Sequence, residues 1–306
     1  MNIKQINVFA PASIANLGPG FDVFGIALDR LGDTIFLEKV HEKGLTIEVK
    51  GLDAGSIPID AASNSAGVVI KYVMKHWKIE DGFRIVINKG VIPGKGMGSS
   101  GASASAAAYA VCNLLNIELS QREYVKLAAL GEVAVSGTPH ADNVSASLLG
   151  GFVMVGPDFD IIRLDPPDIE MVVVVPEVNY ENKTRLARSL LPEMVALNDA
   201  VHNISNASRM VAAVALNDSK LFGRCISDRL IEPYRAEMIP NFWKVKEAAL
   251  LAGAHGCSIS GGGPSMFAVG PNSKEIGKAM IDAFKDADVN SEMILTSPSK
   301  LGTREV

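Results

Sequence analysis

Short runs of β-branched and aliphatic residues alternate along the chain with longer segments whose apolar residues recur at helical spacing. The short runs end at Gly, Pro, Asp or Asn, which is typical of strands. They predict strands over 35–40, 45–49, 83–88, 151–155, 171–175 and 265–269. The longer segments predict helices over 63–77, 100–115, 122–130, 193–216, 241–251 and 274–287. Because the two kinds of element are interleaved, the sequence indicates an α/β or α+β class.

A cluster of chain-breaking residues indicates a boundary between two domains near 156–167. The chain there reads Gly-Pro-Asp-Phe-Asp from Gly156 and Asp-Pro-Pro-Asp from Asp165. We therefore expect an N-terminal domain over 1–160 and a C-terminal domain over 161–306, which also suits the chain length. The predicted order of strand, long helices, strand, helix and strand in the second half suggests a split βαβ layer of the ferredoxin type.

Composition excludes several classes of protein. Hydrophobic residues make up 48% and charged residues 21%, which is typical of a folded globular chain. The net charge of −5 lacks the basic excess expected of a nucleic-acid-binding protein. Cys112, Cys225 and Cys257 lie far apart in the sequence, so neither a disulfide framework nor a zinc ribbon is indicated. Without a leader pattern or a long apolar run, we expect a cytoplasmic protein with no membrane partner.

The segment most informative about function is a glycine-rich loop that leads into a helix of small residues. This phosphate loop comprises Pro93, Gly94, Lys95, Gly96, Met97, Gly98, Ser99, Ser100, Gly101, Ala102 and Ser103. Its glycines allow backbone N–H groups to point toward one place, and the helix N-terminus adds about half a positive charge. The combination predicts a site for phosphate, with a plain turn into a buried helix as the alternative.

Other nucleotide-binding patterns fit this loop less well. Walker A requires Ser or Thr after Gly-Lys, but Lys95 is followed by Gly96. The dinucleotide fingerprint matches Gly96, Gly98 and Gly101, yet residues 89–95 separate the first glycine from the end of the preceding strand. Protein kinases carry an H-R-D sequence that this chain lacks. A nicotinamide-dependent oxidoreductase is therefore the weaker alternative, and a non-catalytic binding module is a third class.

Two further glycine-rich segments lie far from the phosphate loop in sequence. Residues 11–25 concentrate Pro, Gly, Asn and Asp, which predicts a shaped loop after a strand. Asn16 and Asp22 in this segment are candidates for ligand binding or for satisfying the loop's own backbone. Residues 257–267 contain three consecutive glycines centred on Gly262, between a predicted helix and a predicted strand. Taken alone, these glycines indicate only a turn.

The three segments together resemble the three motifs of the GHMP superfamily, small-molecule kinases that act on galactose, homoserine, mevalonate and phosphomevalonate. They occur in the family's order and at family-like separations, with Gly101 and Gly262 standing where alanine is usual. The resemblance implies a two-domain α+β fold, with a mixed α/β N-terminal domain, a ferredoxin-like C-terminal domain and the active site in the cleft between them. It also implies a homodimer that uses ATP and Mg²⁺.

The resemblance assigns roles at the nucleotide end of the site. Ser100 and Glu132 would hold Mg²⁺, which prefers hard oxygen ligands and takes the rest from phosphate and water. The phosphate loop and Gly262 would surround the polyphosphate. Asn64 and Lys89 are further candidates for contacts with ATP, although a residue such as Asn64 at the start of a helix is equally typical of an N-cap.

At the acceptor end, the resemblance implies L-homoserine, with a shikimate- or mevalonate-like alcohol as the alternative. The carboxylate of homoserine favours an arginine fork, for which Arg188 and Arg235 are the candidates. Thr184 precedes Arg188 in a family-like Thr-x-x-x-Arg element. Each arginine could otherwise be a solvated surface charge.

The rest of the acceptor pocket is also assigned by resemblance. Asn16, Asp22, His140 and Asn143 would line it, with Asp22 meeting the ammonium and Asn143 or Asn16 orienting the hydroxyl. We identify no firm catalytic base, and a loose phosphoryl-transfer transition state needs little activation of the nucleophile. Asp22 is a minor candidate for that role.

Overall fold

Two β-sheets organise the chain, which the computed structural model describes over residues 4–137, 141–180 and 183–306. The strands are β1 (Gln5–Ala15), β2 (Phe24–Val40), β3 (Leu45–Gly51), β4 (Gly82–Lys89), β5 (Phe152–Val155), β6 (Ile161–Leu164), β7 (Met171–Pro176), β8 (Gly256–Ile259), β9 (Met266–Val269), β10 (Ser291–Thr296) and β11 (Arg304–Glu305). The helices are α1 (Ser65–His76), α2 (Ser99–Leu114), α3 (Gln121–Ser136), α4 (Ala141–Leu149), α5 (Lys183–Ser189), α6 (Leu197–Ala215), α7 (Ser219–Arg224), α8 (Glu232–Arg235), α9 (Phe242–Leu251) and α10 (Ser273–Lys285).

The N-terminal sheet has the strand order β11-β1-β2-β4-β3, with β5 paired to β2 and β6 paired to β5. The long strand β2 connects these pairings, because its first part pairs with β5 and its second part with β4. Ile35 lies opposite Val8 on one side and Ile87 on the other, and all three are buried. This register places one face of the sheet against the N-terminal helices.

Helix α2 passes through the centre of the N-terminal domain because its residues are small. It packs against α1, α3, α4 and strands β1 and β2, and almost all its residues are buried. Small side chains allow these backbones to approach closely, so the helix that follows the phosphate loop is held on several sides. Helix α3 continues to Ser136, beyond the predicted end near 130, and its backbone comes close to α1 at Gly131. A Cβ on Gly131 would lie 2.6 Å from Ser65 O.

The C-terminal sheet is antiparallel with the order β10-β7-β9-β8, which is the 4-1-3-2 order of a split βαβ layer. This confirms the predicted ferredoxin-like topology. Val172 and Val174 pack with residues of α9 and α10. Met171 and Val173 pack with α6, α7 and apolar residues of the N-terminal domain. Strand β7 is continuously apolar because both its faces are covered.

The predicted domain boundary differs from the division that the sheets make. Gly156 donates a backbone hydrogen bond to Asp160 O at 2.7 Å, so the first part of the breaker-rich segment is the turn of a hairpin, whereas residues 165–170 connect β6 to β7 of the other sheet. Strand β6, whose residues fall within the predicted second domain, pairs with β5 of the N-terminal sheet. At the other end of the chain, β11 returns to pair with β1. The N-terminal sheet therefore includes residues 161–164 and the last strand. Across the described ranges, no helix combines the length and apolar character needed to cross a membrane.

Candidate active site

A cleft of about 760 Å³ between the two domains brings most of the predicted site residues together. It is walled by the phosphate loop, the N-terminal turn of α2, the loop between β1 and β2, helix α5 and the glycine loop after β8. The predicted residues in its wall are Asn16, Asp22, Asn64, Lys89, Pro93, Gly94, Gly96, Gly98, Ser99, Ser100, Ser103, Glu132, Asn143, Arg188, Arg235 and Gly262. His140 and the side chain of Thr184 lie outside the described residues.

The phosphate loop takes its shape from three glycines with positive φ. Gly94, Gly96 and Gly98 have φ values of 71°, 86° and 65°, a conformation that strains other residues. Gly98 is the N-cap of α2 and offers no side chain to the first turn of the helix. The backbone N–H groups of that turn therefore remain available to an anion in the cleft, as the sequence predicts.

Four other residues of the predicted phosphate-binding segment do not line the cleft: Lys95, Met97, Gly101 and Ala102. The Lys95 ammonium donates hydrogen bonds to Pro176 O, Val178 O and Asn179 Oδ1 at 3.2, 2.7 and 3.0 Å, which joins the phosphate loop to the C-terminal domain. Met97 is fully buried in the core that the two domains share. These side chains support the loop, and their nucleotide contacts stay a prediction.

The phosphate loop packs directly on the C-terminal glycine loop, residues 260–264. Ser260 Oγ donates a hydrogen bond to Gly96 O at 2.8 Å. A Cβ placed on Gly96 would lie 2.2 Å from Ser260 O and 2.8 Å from Gly263 O. The third motif thus packs beside the phosphate loop and supports it, as the resemblance to the GHMP superfamily implies.

Gly96→Ala should destabilise the protein far more than Gly94→Ala. Both positions require positive φ, which costs alanine about 1 kcal/mol. At Gly94 a Cβ meets no atom within 4 Å, whereas at Gly96 it clashes with backbone of the C-terminal domain. Overpacking adds about 1–3 kcal/mol, so urea titration should show that much extra loss in the free energy of unfolding of Gly96→Ala. Equal losses in the two variants would contradict the close packing.

A buried ion pair fixes the two ends of the phosphate loop. The Lys89 ammonium pairs with Asp33 and donates to Ser99 O and Ser103 Oγ, each at 2.9 Å. Asp33 Oδ1 accepts the backbone N–H groups of residues 90 and 91 at 3.1 and 3.2 Å. Burial lowers the pKa of Lys89, and the Asp33 charge opposes that shift. Lys89 thus supports both ends of the loop, and its contact with ATP stays a prediction.

Glu132 and Ser100 line the same cleft as the phosphate loop, so a carboxylate-bearing and a hydroxyl-bearing residue lie in its wall. Glu132 is buried in α3, and its charge acts on both Lys89 and Lys183. Within the described residues no group of three or more His, Cys, Asp or Glu forms a metal site. Two hard oxygen donors beside a phosphate site fit Mg²⁺, which keeps water and phosphate oxygens as its other ligands.

The two arginines from distant segments converge at the other end of the cleft. The Cζ atoms of Arg188 and Arg235 lie 5.8 and 5.0 Å from the centre of the Phe21 ring. Arg235 is buried and donates to Ala187 O and Gly261 O at 3.3 and 3.2 Å. Burial lowers the pKa of Arg235, while the charge of Asp22 raises it. The pair forms the predicted cationic pocket.

Asp22 and Asn16 lie at the same end of the cleft. Arg188 Nη2 lies 3.0 Å from Asp22 Oδ2. The positive and negative groups that are candidates for binding an amino-acid zwitterion therefore form an ion pair with each other. Asn16 Nδ2 donates to Gly261 O at 2.9 Å, and its Oδ1 accepts the Asp22 N–H at 3.1 Å. The Asn16 amide thus holds the Asp22 loop against the C-terminal glycine loop.

Asn143 and Asn64 each combine a place in the cleft wall with local hydrogen bonds. Asn143 Oδ1 accepts from Ser13 Oγ at 2.9 Å, which fixes its amide beside Gly98. Asn64 is the N-cap of α1, accepting from Gly67 N at 3.0 Å and donating to Pro58 O at 2.7 Å. The N-cap alternative for Asn64 is therefore realised, and its contact with the nucleotide stays a prediction.

Comparison with protein families identifies two matching domains. The description "GHMP kinases N terminal domain" matches residues 64–151, and "GHMP kinases C terminal" matches residues 210–287. A mevalonate kinase from L. major, solved with R-mevalonate, shares the fold with a TM-score of 0.71 at 16% identity over 95% of this chain and 94% of its own. The chain therefore belongs to the GHMP kinases, ATP-dependent kinases of small molecules, and the oxidoreductase alternative is excluded.

Relatives with higher sequence identity indicate which group of GHMP kinases this chain resembles most. The homoserine kinase of Pyrococcus abyssi is 42% identical over 296 residues, covering 96% of this chain and 97% of that protein. A crystal structure of homoserine kinase from Cytophaga hutchinsonii superposes with a TM-score of 0.92 at 37% identity, covering 100% of this chain and 98% of that chain. Among the GHMP kinases, the chain falls with the homoserine kinases.

Proposed function

We propose that this protein transfers the γ-phosphoryl group of ATP to the side-chain hydroxyl of L-homoserine. The products are ADP and O-phospho-L-homoserine, and the reaction is a step of threonine biosynthesis. The observation that carries the proposal is the arrangement of one cleft: the phosphate loop forms one end, and Arg188, Arg235 and Asp22 meet at the other. A kinase for an amino acid needs a polyphosphate site and a zwitterion site in contact.

Binding of homoserine replaces an internal ion pair with two external ones. The substrate carboxylate takes the Arg188 guanidinium from Asp22 and also faces Arg235, and the Asp22 carboxylate then accepts from the substrate ammonium. Because Arg235 is fixed by two backbone carbonyls, its orientation is set before the substrate arrives. The amino acid is thereby held with its hydroxyl directed along the cleft toward the phosphate loop.

The protein stabilises charge at the phosphate end rather than activating the nucleophile. The N-terminal turn of α2 binds phosphate oxygens through backbone N–H groups, and the Asp33–Lys89 pair keeps that turn in place. Ser100 and Glu132 would hold Mg²⁺, which when bound offsets the charge of the terminal phosphates. Asn143, fixed by Ser13, lies near enough to the loop to orient the acceptor hydroxyl.

A substrate panel tests the proposed function. ADP release is measured with homoserine, shikimate, mevalonate and galactose in turn, each with ATP and Mg²⁺. We expect turnover of homoserine to exceed that of the other alcohols by orders of magnitude, because only homoserine satisfies both arginines and Asp22. Efficient turnover of another alcohol, with none of homoserine, would overturn the acceptor assignment.

We also expect the protein to be cytoplasmic and to form a homodimer. Light scattering checks the dimer by its molar mass.

A further inference from the structure

Lys183, at the start of α5, places its ammonium in the cleft beside the phosphate loop. Its Nζ donates a hydrogen bond to Gly263 O at 2.6 Å. A Cβ on Gly262 would lie 3.8 Å from that same nitrogen. Gly263 O is also the atom against which Gly96 packs, since a Cβ on Gly96 would lie 2.8 Å from it. The ammonium and the phosphate loop therefore contact the same point of the C-terminal glycine loop.

Lys183 differs from the two other lysines near the phosphate loop in how its donors are used. Lys89 is committed to Asp33 and the start of α2, and Lys95 is committed to three oxygens of the C-terminal domain. In the part of the chain that the structure describes, Gly263 O is the single hydrogen-bond acceptor of the Lys183 ammonium. Two of its three N–H donors are thus left for a ligand in the cleft.

The charges around Lys183 favour an anion at this position. Arg235 of α8 and Lys95 of the phosphate loop repel its ammonium, whereas Glu132 of α3 attracts it. Burial in the cleft is the largest cause of the pKa shift of Lys183. Burial and the two positive charges outweigh the attraction of Glu132 and lower this pKa to about 8. Arg185 and Arg188 on its own helix add further positive charge to the cleft wall. A multiply charged anion would relieve this repulsion and favour the protonated amine.

We infer that Lys183 is a further catalytic residue, which binds the phosphoryl group while it passes from ATP to the acceptor. This inference rests on the proposed function. Lys183 is coupled to Arg235 at the acceptor end and touches the residue that supports Gly96 at the phosphate end. The transferred group must cross the space between those two ends. No spacing or motif in the sequence marks this lysine, so only the fold reveals it.

The step is a simple phosphoryl transfer in which Lys183 keeps its proton. A P–O bond forms to the acceptor hydroxyl oxygen while the P–O bond to ADP breaks, and that bond's electron pair stays on ADP. The hydroxyl proton passes to water. The Lys183 charge stabilises the equatorial phosphoryl oxygens, where negative charge is concentrated during transfer.

Lys183→Gln separates a charge role from a structural one. Glutamine can still donate a hydrogen bond to Gly263 O but carries no charge. We expect kcat with homoserine to fall by about a hundredfold or more, and binding of a non-hydrolysable ATP analogue to weaken by about tenfold. Lys183→Arg should restore part of both quantities. Lys220→Gln on the exposed surface of α7 is the matched control and should behave like the unmodified protein.

The pH dependence of nucleotide binding supplies a second readout. Because only the protonated amine attracts phosphate, the affinity of the unmodified protein for the ATP analogue should fall as pH rises above about 8. Lys183→Gln should show a clearly smaller fall between pH 8 and 9.5, and the remaining fall should come from Lys95 and Lys89, whose pKa values burial also lowers. Lys183→Met replaces Lys183→Gln if thermal unfolding shows that the latter does not fold.

The outcomes separate this inference from the proposed function. A folded Lys183→Gln protein with normal kcat, normal affinity and the same pH profile would refute the role of Lys183 and leave the homoserine assignment intact. Failure of the unmodified protein to phosphorylate homoserine would refute the proposed function. In that case the nucleotide-binding measurements still decide whether Lys183 binds phosphate.

Discussion

Glu132→Gln should reduce kcat by about two to three orders of magnitude while leaving the fold intact. The substitution keeps the shape of the side chain and removes the negative charge from the cleft wall, where we propose that Glu132 holds Mg²⁺. A metal that stabilises phosphoryl charge is worth several kcal/mol, and each 1.36 kcal/mol corresponds to about a tenfold change in rate. Loss of one of the two proposed protein ligands of the metal should therefore lower kcat severely.

The measurement is kcat as a function of Mg²⁺ concentration. The Glu132→Gln protein should need much more Mg²⁺ for half-maximal rate, and Ser100→Ala should shift that midpoint in the same direction. Glu247→Gln, on the exposed face of α9, is the control and should leave the Mg²⁺ titration unchanged. Full activity of both Glu132→Gln and Ser100→Ala would remove these residues from the proposed metal site.

Arg235→Leu should raise the KM for homoserine by about two orders of magnitude or more, with little change in the KM for ATP. Arg235 is buried, held by Ala187 O and Gly261 O, and faces the pocket that Asp22 and Arg188 share. Truncation of one partner of a buried charge pair costs about 2–5 kcal/mol. Because the lost group lies at the acceptor end, the penalty should appear in binding of the amino acid.

The matched control is Arg209→Leu on the exposed surface of α6, which should leave both KM values unchanged. Thermal unfolding of the Arg235→Leu protein separates a folding defect from a binding defect. An equal rise in the KM for ATP and for homoserine would contradict the assignment of Arg235 to the acceptor end. A rise in the KM for ATP alone would place Arg235 at the nucleotide end of the cleft instead of the acceptor end.

The sequence predicts those parts of the site whose chemistry is local. Positive φ at Gly94, Gly96 and Gly98 requires glycine, so the phosphate loop is visible as a pattern of glycines. Helix α2 is visible because close packing requires small residues over several turns. In the second half, strands β7 and β9 are predicted because both are short and apolar, whereas β8 and β10 are not among the predicted strands.

Features that depend on pairing between distant segments could not be predicted. Asp33 lies in the middle of a long strand. Only the fold shows that its carboxylate pairs with Lys89 and accepts a backbone N–H just before the phosphate loop. The convergence of Arg188 and Arg235 on Phe21 likewise requires the tertiary structure. The hairpin over 156–160 resembles a linker in composition because turns and linkers use the same residues.

A crystal structure with a non-hydrolysable ATP analogue, Mg²⁺ and L-homoserine bound together would show how the cleft is occupied. We predict that the homoserine carboxylate contacts Arg188 and Arg235, that its ammonium contacts Asp22, and that the terminal phosphate lies against the N-terminal turn of α2 near Lys183. The homoserine hydroxyl oxygen should approach the terminal phosphorus to about 3–3.5 Å. A nucleotide bound away from the phosphate loop, or an amino acid whose carboxylate contacts neither arginine, would contradict this prediction.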